Sequence, residues 1–404
     1  MPGTLDRRLG LTASAAIGVA AMVGSGLFVV FAPATAAAGD GLPIALGIAA
    51  VVAGCNAWSS ARLAMLHPVA GGTYVYGRER LGPFWGHLAG WSFVAGKLAS
   101  CGAMGLAVGS YVWPGHARGA AIAVVLAVTA VNLLGVEKSA VVSVVTVTLV
   151  LVVTVTAVTV MSLADPAADA SSPGDARGVL QAAGLLFFAF AGYARLATLG
   201  EEVRDPERTI PRAIALSLVV VVAVYAAAAL ALRHVLGGPD LAASTRPFVA
   251  GLHAADAGGL TPVVVAAAAL AAGGALLSLT LGVSRTVLAM ARDHHLPHAL
   301  AAIGSRRRVP WAAELAVGLV VVALVLLGDL TTSIAFSSFC VLVYYAIANA
   351  SALTLHSGRW AGAAAALGLA GCLLLAGSLP VETVSIGAAV VAAGALSYAL
   401  RHRP

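Results

Sequence analysis

From Ala140 to Leu163 the chain carries no charged side chain, and comparable apolar runs recur along most of its length. About 20 apolar residues suffice to cross the hydrocarbon core of a bilayer as an α-helix. Lipid offers no hydrogen-bond partner, so a spanning segment must satisfy its own backbone, which leaves helices and closed barrels. The runs here are continuous rather than alternating, and that excludes a β-barrel. Pro, Gly and charge clusters divide them into twelve spans, at about residues 11–32, 41–66, 84–113, 118–136, 140–163, 178–200, 211–234, 260–290, 310–328, 331–356, 360–378 and 381–400. The expected fold is an all-α integral membrane protein with about twelve transmembrane helices, residues 1–404 forming a single transmembrane domain. The polar stretch Met1–Leu9 does not read as a cleavable signal, because the apolar run behind it continues into a working helix.

Charge sets the expected orientation. Of the 23 Lys and Arg, about 17 fall in loops and helix ends of one side and about 4 on the other. The positive-inside rule then places both termini in the cytoplasm. The net charge of +6 follows from this topology and does not imply nucleic acid. Cys55, Cys101, Cys340 and Cys372 sit in apolar spans without paired spacing and read as small core residues. His294, His295 and His298 cluster in a basic loop, but neither a metal nor a cofactor is expected. No nucleophile–base set appears in the spans, so the chain is not read as an enzyme.

Two spans are interrupted. In the first, Gly24-Ser25-Gly26 places three poor helix formers at the depth where a membrane helix should be most regular. An unwound turn there presents free N–H groups to a carboxylate and frees carbonyls that can hold an ammonium or a cation. The alternative is that the glycines only let helices pack closely. In the sixth span, Phe187-Phe188-Ala189-Phe190-Ala191-Gly192-Tyr193 again sets a glycine near mid-depth. The two interruptions are five spans apart and so oppositely oriented. Spans one to five (about 11–163) and six to ten (about 178–356) are therefore expected to be inverted copies, with extra helices at about 360–400.

Between spans two and three, Ala70–Gly82 joins a Gly-Gly turn to alternating aromatics and charges, which suits a short interfacial helix; an ordinary loop is the alternative. The loop Leu236–Gly259, rich in Ala, Gly and Pro, reads as a short solvated connector. Pro211 is placed to open span seven.

At these residues the chain resembles the amino acid–polyamine–organocation (APC) family of transporters. The resemblance covers nearly the whole chain. It rests on Gly24-Ser25-Gly26; Pro68…Ala70-Gly71-Gly72-Thr73-Tyr74-Val75-Tyr76 with Gly90-Trp91; and Phe187–Tyr193 leading to Glu201-Glu202…Asp205-Pro206-Glu207-Arg208-Thr209-Ile210-Pro211-Arg212. It continues through Ser284-Arg285…Ala289–Asp293 with Leu296-Pro297, and Ser337-Ser338-Phe339. The resemblance implies a leucine-transporter-like fold of two inverted five-helix repeats plus two C-terminal helices. It also implies secondary active transport of amino acids or related amines. In such proteins the substrate carboxylate meets amides matching Gly24, Ser25 and Gly26. Its ammonium meets carbonyls near Ala21, Met22, Phe187 and Phe190, beside Gly192, and an aromatic matching Phe188 gates the site.

The departures from the family pattern involve charge. Lys97 lies about 14 residues into span three, roughly 21 Å along the helix at 1.5 Å per residue. A charge in lipid costs several kcal/mol and needs a reason. Some proton-coupled relatives carry a lysine on the fifth helix, and span five here has none. Lys97 can supply the comparable internal charge, carry the coupled proton or contact an anionic substrate group; a structural lysine bonded to carbonyls is the alternative. Arg195 can snorkel to the cytoplasmic face or serve an inner gate. Arg62 stands where relatives often carry a glutamate. Ser278, Thr280 and Ser284 can either ligate sodium or bond back to their own helix. Proton coupling, or exchange, is expected over sodium. Glu314, in the first turn of span nine, suits the helix dipole and needs no further role.

The expected protein is thus a multi-pass plasma-membrane permease working by alternating access on a small-molecule amino acid or amine. A neutral amino acid is the first expectation and an anionic one the next. An exchanger or exporter of the same fold is the rival reading. Oligomeric state is not set by the sequence.

Overall fold

The computed structural model describes residues 10–67, 71–135, 140–167, 174–193, 203–304, 309–355 and 358–401. The first span is built from α1 (Leu11–Met22), α2 (Ser25–Val29) and α3 (Phe31–Ala38), and α4 (Leu42–Leu66) returns across the bundle. Next come the short α5 (Thr73–Leu81) and the long α6 (Pro83–Val112), α7 (Ala117–Leu133) and α8 (Ala140–Leu163). The second half holds α9 (Ala176–Phe190), α10 (Pro206–Ala243), α11 (Pro247–Ala254), α12 (Thr261–Arg292), α13 (Trp311–Leu327) and α14 (Leu330–Leu353). The chain closes with α15 (Arg359–Ser378) and α16 (Val381–Arg401). Among the described residues, eleven stretches are long and apolar enough to cross a membrane, and α13 adds a shorter apolar helix. Each expected span is therefore met by a helix, and the protein is an all-α, multi-pass membrane protein.

Helix ends follow local chemistry. The Asp175 and Asp329 carboxylates cap α9 and α14 by accepting from the amides of Gly178 at 2.6 Å and Thr332 at 2.9 Å. The expected interfacial helix is α5. Gly72, at φ +56°, turns the chain into it, and the Thr73 amide donates to the Tyr344 hydroxyl at 3.0 Å. Tyr74 then fixes α5 to the end of α12, donating to the Asp293 carboxylate at 2.5 Å. Burial and that carboxylate push the Tyr74 phenol well above its ordinary value, so it remains the donor at physiological pH.

Two expectations are corrected. Pro206 opens α10, whereas Pro211 lies inside it, beyond the first turn, where its ring removes one backbone hydrogen bond. The supposed connector Leu236–Gly259 is folded instead. It carries the end of α10, kinked at Gly237 (φ +69°), and then α11, whose Phe248 and Leu252 are fully buried. An Ala/Gly/Pro-rich composition concealed a helical i, i+4 apolar pair.

α6 runs through the centre of the bundle, against α12, α14, α7, α13 and α16. Small residues permit the close approach. A Cβ at Gly96 would lie 2.9 Å from that of Cys340 on α14. The rim differs in character. α8 exposes Val141, Val145, Leu149, Val152 and Val155, and its outward threonines bond back to carbonyls four residues earlier, as Thr156 does to Val152 at 2.9 Å. On α16, Gly394 faces the Trp91 indole, whose Nε1 donates to the Val390 carbonyl at 2.8 Å.

A Cβ at Gly394 would stand 2.7 Å from Trp91 Cγ, closer than real contacts allow. Gly394→Leu is expected to destabilise the docking of α16 by about 1–3 kcal/mol. Thermal unfolding followed by tryptophan fluorescence should show a lowered Tm, while Gly377→Leu, at an open position, should leave it nearly unchanged.

Candidate functional site

The first interruption is an inverse γ-turn at Val23 (φ −77°, ψ +63°), closed by the Gly24 amide donating to the Met22 carbonyl at 2.8 Å. Gly24 (φ −106°, ψ −139°) is non-helical, and the helix restarts at Ser25. The break therefore falls at Val23–Gly24, just ahead of the centre of the glycine motif, so Ser25 and Gly26 begin the second half-helix. Their leading amides lie where a helix leaves N–H groups without intrahelical partners. The Ser25 hydroxyl is buried and, among the described residues, has no hydrogen-bond partner.

The two glycines of the motif also pack. A Cβ at Gly26 would come 2.7 Å from that of Ala189 on α9, and one at Gly24 would come 3.1 Å from that of Ala275 on α12. Close packing and an opened backbone were posed as alternatives; Gly24 does both at once.

The second interruption follows Phe190, where Ala191–Tyr193 form a single 3-10 turn. Gly192 lies directly on the first break, and a Cβ there would strike the Ala21 carbonyl and stand 2.7 Å from the Met22 amide. The two broken backbones thus meet face to face. Three side chains hold the carbonyls that the breaks release. The Tyr225 hydroxyl, on α10, shares its proton between the carbonyls of Met22 at 2.8 Å and Ala189 at 3.1 Å. Lys97 Nζ and the Tyr345 hydroxyl both point at the Ala191 carbonyl, each at 3.5 Å.

Aromatic rings wall this crossing. Phe187 meets Tyr345 edge-on with centroids 5.8 Å apart, Phe190 meets Tyr225 at 5.2 Å, and Tyr193 stacks on Tyr345 at 5.1 Å. Phe188 is 8% exposed, the least covered of the three phenylalanines on α9. Arg195 lies outside the described residues.

Lys97 is buried, and among the described residues no carboxylate pairs with it. Its ammonium sits 6.0 Å from the Phe93 ring centroid and relies on the Ala191 carbonyl. Of the candidate sodium ligands, Ser278 is exposed and bonds back to the Gly274 carbonyl at 3.0 Å. Thr280 is buried, donates to the Leu276 carbonyl at 2.8 Å and lies 3.7 Å from Cys101 Sγ. Ser284 donates to Glu314 Oε1 at 2.5 Å. Glu314 is 0% exposed, which corrects its reading as a simple helix-dipole acid.

Sequence reasoning missed Tyr225 and Tyr345. For Tyr225 the available signal was a lone hydroxyl in an apolar run, which must find a partner in lipid.

A family model described as Amino acid permease matches residues 14–361. An uncharacterised transporter of Mycobacterium tuberculosis is 56% identical, over 99% of this chain and 92% of its own length. A branched-chain amino acid permease of Bacillus subtilis is 25% identical over 77% of this chain and 72% of its own, and human cationic amino acid transporter 4 is 28% identical over 88% and 61%. With two helices broken at one crossing and a family match over most of the sequence, the chain belongs to the amino acid permease family.

Proposed function

We propose that this permease is a plasma-membrane amino acid transporter with both termini cytoplasmic, that it works by alternating access, and that substrate movement is coupled to protons. The observation that carries the reading is the meeting of the Val23–Gly24 and Ala191–Gly192 breaks, with an unpartnered buried hydroxyl at Ser25. In this reading the substrate carboxylate binds the leading amides of α2 and the Ser25 hydroxyl. Its ammonium binds carbonyls of α1 and α9, and Phe188 closes the site. Spans one to five and six to ten act as inverted repeats around this crossing.

Lys97 sets the substrate class. A cation held beside the second break opposes a second positive charge in the substrate. A neutral amino acid fits best and an anionic one next, although one relative bears a cationic name. Lys97 is also a proton-coupling residue of this reading, because its ammonium rests on one long carbonyl contact and, among the described residues, pairs with no carboxylate.

A thermal-shift screen of the purified chain against the twenty amino acids and common amines tests the substrate, repeated at two pH values and with or without sodium. A ligand at 100-fold its Kd stabilises by about 2.7 kcal/mol. A single neutral hit is expected, and a flat screen would sink the reading. Ser25→Ala should weaken that hit about tenfold, the cost of one lost hydrogen bond, and leave the ligand-free Tm in place. Gly26→Leu is a poorer probe, because any side chain there collides with Ala189. Lys97→Met should leave substrate counterflow in vesicles measurable and remove its response to pH; an unchanged pH profile would reduce Lys97 to a structural role.

A further inference from the structure

Among the described residues, Lys97 and Glu314 are the two buried members of the Asp, Glu, Lys and Arg set. The Lys97 ammonium lies at the crossing of the breaks. Glu314 sits elsewhere, in the first turn of α13, enclosed by α7 and α12. Its Oε1 accepts from the Ser284 hydroxyl at 2.5 Å and its Oε2 from Asn132 Nδ2 at 3.5 Å. The second bond is long. The other end of the same amide, Asn132 Oδ1, is buried and has no partner among the described residues, in a residue only 1% exposed. A buried carboxylate thus faces an amide that is spending only one of its two capacities. The unmet one is an acceptor, and a carboxylate has no proton to give it.

We propose that Glu314 is a proton-binding group of the transport cycle, distinct from the substrate site, with Ser284 and Asn132 as its hydrogen-bond partners in both protonation states. This deepens the proton-coupled reading above and rests on it. The step is a single proton transfer. The carboxylate takes one proton from water at the face that carries α5, and Oε2 becomes an O–H. Asn132 turns its amide, so that Oδ1 accepts from that O–H where Nδ2 had donated to the anion. Ser284 keeps donating to Oε1 throughout. Deprotonation reverses each change, and no other bond forms or breaks.

The surroundings fit a group that exchanges a proton. Arg285 follows Ser284 directly on α12. On α6, Cys101 follows Lys97 by four residues, and its Sγ meets Thr280 at 3.7 Å, one helical turn before Ser284. The short turn at 298–301 also packs on α13, but its His298 is exposed and stacks on His294.

The test uses the full chain in lipid vesicles and two readouts. Infrared difference spectra between acidic and neutral pH should show a carboxyl C=O band in the native protein. That band should be missing in Glu314→Gln, and the pH at which it appears should shift in Ser284→Ala. An identical spectrum for Glu314→Gln would overturn the proposal, and this arm needs no substrate. In the second arm, the pH dependence of substrate affinity, about 5-fold or more when two sites are coupled, should vanish in Glu314→Gln while counterflow persists. A retained pH profile, or loss of counterflow together with a lowered Tm, would make Glu314 a structural tie. Absence of counterflow in the native protein would instead sink the amino acid reading and leave the infrared result standing. Should Glu314→Gln not fold, Asn132→Leu replaces it, with a shifted C=O band expected and an unmoved one overturning the proposal.

Discussion

A helix opened inside a membrane leaves carbonyls and amides that no water can satisfy, and everything at the centre of this bundle answers that constraint. Tyr225 serves the ends of two broken helices with one hydroxyl. Lys97 and Tyr345 converge on Ala191, and Tyr111 donates to the Phe28 carbonyl at 2.8 Å, where α2 bends into α3. These four side chains come from α6, α10 and α14, each at a point where its own helix is regular. These helices thus carry the donors, and the interrupted ones carry the backbone to be held.

This arrangement joins stability to mobility. Each tie at the crossing is a single hydrogen bond, worth about 1 kcal/mol net, and two of them are long at 3.5 Å. Such contacts exchange partners cheaply. A substrate ammonium competes for the same carbonyls, and Ser25 offers a hydroxyl that no protein atom occupies. Packing is less forgiving, since Gly26 on Ala189 and Gly192 on Ala21 admit no added atom. The breaks are therefore held together by shape and are only lightly latched by hydrogen bonds.

Much of this was legible in the residues. The number and order of spans, the interfacial helix at Thr73–Leu81, the breaks near Gly24 and Gly192 and the burial of Lys97 all follow from local pattern, because lipid enforces the helical period and punishes exceptions. Legibility failed where composition misled or where a partner was distant in sequence. Leu236–Gly259 looked polar enough to be solvated yet hides Phe248 and Leu252. Ser278 and Thr280 are two residues apart on one helix and so face different ways, one outward and one into the α6 interface.

What the sequence by itself determined is the membrane-spanning class, the two weak points in the helices and the family. These are properties of runs and spacings, which a bilayer reads locally. Only the tertiary structure decided that the weak points meet, that Tyr225, Lys97 and Tyr345 hold them, and that Glu314 is closed in with Ser284 and Asn132 instead of facing water. Those pairings join residues from 30 to more than 200 positions apart. Their geometry depends on how close small residues let the helices come, and no local pattern records that distance.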